Sequence, residues 1–256
     1  MRIKPGWYLL GAALLYAFVV TLAWRQSERR LAELARARPV ATAPERPKPA
    51  PAPPEKATTV SEGAPGYVLP LPGACIPKKK DHLPGAPRPY RKGVSYGFVF
   101  TGKDACVPVV YGTGVIAAAG GEVIKADRDY KPLSPAAFNK LIQSVKNGAD
   151  LAAMDALRGR EVWIRHPDGR VSVYAHLAKI APHVRVGARV ARGDWIGNVG
   201  NSGTSYEVRG TQEGARLLFE LWEGSVQAGR YFGQGQAQEE VRKAARTFFK
   251  HLSEAP

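Results

Sequence analysis

The chain has 256 residues, 45% of them hydrophobic, with 37 Lys/Arg against 22 Asp/Glu for a formal net charge of +15. That length suits one folded domain with appendages. The charge is spread, +6 over residues 1–56 and +9 over the rest, so it reads either as attraction to an anionic partner or as a basic solvated surface. Zinc-finger spacing, an RNP motif and aromatic-interleaved basic helices are all missing, which argues against nucleic acid as a partner.

Residues 1–6 carry Arg2 and Lys4 and lead into an uncharged apolar run, WYLLGAALLYAFVVTLAW, at 7–24. The run is long enough to cross most of a bilayer core, and Trp7, Tyr8 and Trp24 sit where interfacial aromatics belong. It is long for a signal-peptide core and no clean A-x-A site follows, so the expectation is an uncleaved transmembrane helix. Arg25, Arg29 and Arg30 follow the run, so the count of basic residues does not favour an inside N-terminus. Residues 25–38 predict a short juxtamembrane helix, in which Leu31 and Leu34 are too few for a coiled coil. Residues 39–65 are a Pro-rich linker that cannot build a packed core.

Residues 66–90 are loop-rich. Strands are expected near 94–101 and 106–126. Residues 127–158 interrupt the β pattern. Ser134-Pro135 is a helix start, Phe138, Leu141, Ile142 and Val145 repeat at helical spacing, and Gly148 ends the helix. Asp150 caps a second short helix through Leu157. This insertion reads as a groove-covering or partner-binding flap, or as decoration. Val162 and Ile164, the turn His166-Pro167-Asp168-Gly169, then Val171 and Val173 predict a hairpin. Gly187, Gly193, Gly197 and Gly200 punctuate short apolar runs, and GARLLFELWEG closes the β unit at 214–224. Over 237–253, Val241, Ala245, Phe248, Phe249 and Leu252 share one face of an amphipathic helix, within a C-terminal segment 236–256. The only cysteines, Cys75 and Cys106, form a disulfide or stay as two reduced, buried residues.

YAHL at 174–177, the pattern G-x-x-V-x-x-G-x-x-I-G-x-x-G-x-S-G from Gly187 to Gly203, and the closing apolar strand together resemble the LytM/lysostaphin zinc metallopeptidase family. RKGVSYGFVF (91–100) and YGTGVIAAAGGEVIKA (111–126) fit the first half of that family's domain, and the resemblance covers roughly residues 66–235. It implies a mainly β, antiparallel LytM-like (duplicated hybrid motif) domain with a small helical insertion, preceded by the transmembrane helix. The family's activity is cleavage of peptide cross-links in peptidoglycan. The expected location is the bacterial cytoplasmic membrane, single-pass, with the C-terminal domain outside, where a Cys75–Cys106 disulfide would be stable. A lipoyl- or biotinyl-carrier domain shares part of the glycine pattern, but Gly120-Gly121 stands where the carrier lysine would be.

A catalytic zinc needs three protein ligands and an open position for water. The family draws its ligands from H-x-x-x-D and from the second His of H-x-H. Those positions here hold Arg91, Ser95 and Leu218. The first His of H-x-H is Arg216, and only His176, in Tyr174-Ala175-His176-Leu177, remains. Leucine has no lone pair to give, serine is a poor neutral ligand, and arginine does not deprotonate. One imidazole does not hold zinc. His82, His166, His183 and His251 are expected at the surface. A Ser95/His176 catalytic pair lacks an acid to orient the imidazole. The sequence therefore predicts no metal, no cofactor and no catalytic residue, with His176 and Arg216 as vestiges. It predicts a groove formed by Arg91, Ser95, Tyr174, His176, Arg216 and Leu218. The two arginines are either solvated charges or a grip for a peptide carboxylate. The function this implies is a peptidoglycan-binding, regulatory or scaffold protein whose partner is peptidoglycan or a cell-wall enzyme. The alternative is a working zinc endopeptidase with ligands elsewhere.

Overall fold

Alternating apolar residues drive the main strands into two sheets. The computed structural model describes residues 66–250, within one compact unit, Ser61–Pro256. The expectations for residues 1–6, 7–24, 25–38 and 39–65, and for His251 and Leu252, lie outside the described residues. No helix among the described residues is long and apolar enough to cross a membrane.

In chain order the strands are β1 (Tyr67–Val68), β2 (Pro87–Arg88), β3 (Gly93–Val94), β4 (Gly97–Thr101), β5 (Gly114–Ile116), β6 (Gly121–Ala126) and β7 (Val162–Arg165). There follow β8 (Arg170–Ala175), β9 (Leu177–Ile180), β10 (Arg189–Val190), β11 (Trp195–Val199), β12 (Arg216–Glu223), β13 (Arg230–Tyr231) and β14 (Phe249–Lys250). A seven-stranded sheet runs β10-β6-β7-β8-β12-β13, with β4 also paired to β12, and a three-stranded sheet runs β5-β11-β9. All pairings in both sheets are antiparallel. The core lies between the two sheets. Phe98, Phe100, Tyr174, Leu217 and Phe219 of the larger sheet meet Val115, Leu177, Ile196 and Val199 of the smaller. β4 pairs closely with β12 because Gly97 has no side chain: a Cβ there would overlap the Phe219 carbonyl.

The expected strand over 106–126 is shorter than the sequence suggests. Residues 106–113 hold no strand beyond one antiparallel bridge, Gly102 to Val109, and Cys106, at φ 67°, is tied to Cys75 by a disulfide with Cα atoms 5.5 Å apart. That bond fastens the loop-rich first segment to the turn after β4.

The insertion holds two helices, α1 (Pro135–Ser144) and α2 (Leu151–Arg158). Ser134 accepts from the Ala137 amide at 3.2 Å and Asp150 from the Ala153 amide at 2.8 Å, each cap contributing about 1 kcal/mol. A one-turn helix α3 (Ser205–Val208) follows β11, and α4 (Gln238–Phe248) follows β13. The helix expected over 237–253 ends at Phe248. Phe249 instead enters β14, pairs in parallel with β1, and packs against Phe98, Phe219 and Phe232. Burying that ring among aromatics favours the strand over another helical turn.

Candidate functional site

The outward face of β12 carries Arg216, Leu218, Glu220 and Trp222, because alternate residues share a face. Leu218 lies between Ala175 of β8 and Val99 of β4. Above this face is a cleft of about 470 Å³. Arg91, Ser95, His176, Arg216 and Leu218 all line it. Phe138 and Ile142 of α1 and Met154 and Leu157 of α2 form one wall, so the insertion borders the cleft.

Tyr174, expected in the groove, lies outside it. It is 0% exposed and points to the opposite face of β8, into the core. Its hydroxyl accepts from the Ala118 amide at 2.8 Å and from the Ser172 hydroxyl at 3.1 Å. The alternation along β8 requires this: Val171, Val173 and Ala175 take one face, so Ser172 and Tyr174 take the other.

His176 ends β8 with φ 63°, a left-handed conformation that few non-glycine residues adopt. Its amide bonds the Arg158 carbonyl at 2.8 Å. The ring Nδ1 lies 2.7 Å from the Ser202 carbonyl, which only accepts, so Nδ1 carries the proton. Nε2 is then an unprotonated acceptor. Burial pushes the imidazole down to about 4, and the nearby Arg216 guanidinium pushes the same way. The ring is therefore neutral at physiological pH.

Ser95 is buried and donates its hydroxyl to the Gly97 carbonyl at 3.0 Å. Arg91 is 5% exposed, lies over the Tyr96 ring at 5.1 Å and donates to the Val94 carbonyl. Arg216 donates its Nε to the Gly214 carbonyl at 2.9 Å. Zinc calls for three lone-pair donors from neutral or anionic groups. At Arg91, Ser95, His176, Arg216 and Leu218 the cleft offers one imidazole, one hydroxyl already committed to a carbonyl, a hydrocarbon and guanidiniums. Among the described residues no three His, Cys, Asp or Glu side chains are placed to hold an ion. These residues do not fit the metal.

The other histidines divide differently from expectation. His183 is exposed. His166 is 3% exposed, not a surface residue. It bonds the Gly120 carbonyl at 2.9 Å and the Ser172 hydroxyl at 2.8 Å, under the edge of Tyr67. His82 lines the cleft, but its Nδ1 is held 2.7 Å from Asp104.

Sequence reasoning missed the most buried charges of the site. Arg158, at the end of α2, donates Nε and Nη2 to the two carboxylate oxygens of Glu220 at 3.1 and 2.8 Å. Both side chains are at most 1% exposed, and Trp222 Nε1 adds a bond to Glu220 at 2.7 Å. Gly159, at φ 68°, ends α2 against the backbone of Ser202 and Gly203, where a Cβ would collide. Behind Arg158 lies Glu161, fully buried, with Lys125 Nζ at 2.5 Å. Burial raises its carboxyl to about 7 against the pull of Arg158 and Lys125. Nothing local in the sequence marks Arg158 and Glu220, which are 62 residues apart.

The profile of Peptidase family M23 matches residues 101–231. A search of curated proteins finds no match. Among solved structures, a zinc-containing peptidase from Vibrio cholerae is similar at 19% identity and TM-score 0.39. That match covers 61% of this chain but only 36% of the Vibrio protein. The catalytic domain of the antimicrobial peptidase lysostaphin from Staphylococcus simulans is similar at 21% identity and TM-score 0.36, over 57% of this chain and 79% of that one. A mutant catalytic domain of the prophage-encoded M23 protein EnpA from Enterococcus faecalis is similar at 18% identity and TM-score 0.40, over 64% and 92%. With the family profile spanning half of its sequence, this chain belongs to peptidase family M23.

Proposed function

We propose that the protein is a non-hydrolytic member of the M23 family that acts in the bacterial envelope. The apolar run 7–24 anchors it to the cytoplasmic membrane, and its cleft binds a cell-wall peptide or a cell-wall enzyme without cutting. One observation carries this reading. Where the family's zinc chemistry would sit, Arg91, Ser95, His176 and Leu218 line one cleft and supply a single imidazole among them. Arginine neither deprotonates nor ligates a cation, and Leu218 has nothing to donate. Without the ion, no water is made nucleophilic at neutral pH. The neutral His176 is held by a carbonyl, with no carboxylate to stabilise an imidazolium.

The test is metal content and activity of the full-length chain. Protein purified in zinc-containing buffer should carry far less than one zinc per chain and release no peptide from isolated peptidoglycan. One zinc per chain, with cleavage abolished by a chelator, refutes the proposal. The triple substitution Arg91→His, Ser95→Asp, Leu218→His should raise zinc uptake above that of the parent.

A further inference from the structure

The charge of the cleft is unexplained by the loss of metal ligands. Four arginines line it: Arg88, Arg91, Arg158 and Arg216. Arg158 is neutralised by Glu220. Among the described residues, Arg88, Arg91 and Arg216 have no carboxylate oxygen within 4.0 Å. Arg88 spends its terminal nitrogens on the Pro87 and Asp81 carbonyls, at 3.0 and 2.9 Å. Arg91 is buried and its Nε has no acceptor. Arg216 spends only Nε, so both of its terminal amino groups lack an acceptor among the described residues.

Arg91 and Arg216 lie close enough to act on Arg88. Burial lowers the pKa of Arg88 and of Arg216; on Arg88, Arg91 and Arg216 add to the lowering, while Tyr90 and the Asp81 carboxylate in the cleft oppose it. Charges drawn together out of water without a counter-ion are costly, and a bound anion would offset that cost. A guanidinium with two free N–H groups on one edge matches a carboxylate. Beside the arginines the cleft has apolar lining from Val99, Phe138, Ile142 and Leu218, together with hydroxyl side chains such as Thr101, Ser205 and Tyr206. His176 Nε2 adds one hydrogen-bond acceptor. An anion flanked by small apolar groups and an N–H donor is the chemistry of a peptide carboxylate, and a cleft of about 470 Å³ takes a few small residues.

We propose that the cleft is a receptor for a peptide carboxylate, gripped by the free edge of Arg216 in the field of Arg88 and Arg91, with His176 Nε2 accepting a peptide N–H. This rests on the non-hydrolytic reading above and gives that cleft its ligand class.

The test is calorimetric titration of the full-length chain with three probes. They are N-acetyl-Ala-Ala-Ala as the free acid, the same peptide as its C-terminal amide, and N-acetyl-Ala-Glu-Ala amide. At least one acid should bind about tenfold or more tightly than the uncharged amide, as expected for a charge-assisted pair. The preferred acid shows whether a chain end or a side chain is read. Arg216→Gln should abolish the difference, Arg216→Lys should keep part of it, and the surface control Lys243→Gln should leave it intact. If Arg216→Gln does not fold, Arg88→Gln at the cleft should weaken acid binding about threefold by reducing the field. Equal binding of acids and amide, or discrimination that survives Arg216→Gln in a folded protein, overturns the inference. Zinc measured on the same preparation separates the two levels. Zinc-free protein without acid preference defeats this inference alone, whereas zinc-loaded protein that cuts peptidoglycan defeats the reading beneath it.

Discussion

Replacing Arg158 by Leu would leave Glu220 charged, 0% exposed and held by a single N–H from Trp222. Removing one partner of a buried ion pair costs about 3 to 5 kcal/mol, because the remaining charge has lost both water and counter-ion. For a domain of this size each kcal/mol lowers the melting temperature by about 2–4 °C, so a fall of roughly 6 to 20 °C is expected. Circular dichroism with heat and with urea reads both quantities. The double variant Arg158→Leu, Glu220→Leu removes the orphaned charge and fills the space with hydrocarbon. It should recover at least half of the loss, short of full recovery because Trp222 Nε1 and Asp155 lose partners. A single variant that costs under about 1 kcal/mol, or a double variant as unstable as the single, would refute the claim that Arg158 is held mainly by Glu220.

Three further outcomes are expected. The Glu161 carboxyl is raised to about 7, so its native proton stabilises the fold fully below the unfolded value and that contribution is lost as pH climbs through 7. The parent should therefore lose about 3 kcal/mol of this contribution from acid to neutral pH, and Glu161→Gln should flatten the slope in urea titrations across pH 5 to 8. His176 titrates near 4, below its unfolded value, so its contribution is intact above about 6.5 and is lost as pH falls toward 4. Nitrogen-15 NMR should show a neutral ring protonated on Nδ1 at pH 6, and a doubly protonated ring at that pH would contradict the geometry. The Cys75–Cys106 bond closes a separation of 31 residues. Its reduction should cost about 3 to 4 kcal/mol, and an unchanged urea midpoint with dithiothreitol would show that the loop is fastened by other contacts.

The sequence made the β domain legible where side chains alternate and the insertion legible where caps are unmistakable, as at Ser134 and Asp150. It misleads where long-range contacts decide. His166 sits in a hairpin turn, which suggests exposure, yet Tyr67, 99 residues away along the chain, covers it. Phe249 has helical spacing with Val241 and Ala245, but pairing with the first strand ends the helix before it. The motif suggests the groove for Tyr174, but the alternation of β8 puts it in the core. The cleft floor was legible because Arg91, Ser95, His176, Arg216 and Leu218 belong to motifs. The Arg158–Glu220 pair was not, since only the fold brings the end of the insertion onto β12.

The parallel pairing of β1 with β14 joins the first described strand to the last, Tyr67 opposite Phe249 and Val68 opposite Lys250. In a parallel pair the chain enters one strand and leaves the other at opposite ends. Tension applied between Gly66 and Lys250 would slide these strands lengthwise, loading their cross-links together instead of peeling them one at a time. The pair thus forms a mechanical clasp across the described segment, so a pull applied at its two ends meets resistance at this short ladder before it reaches the cleft.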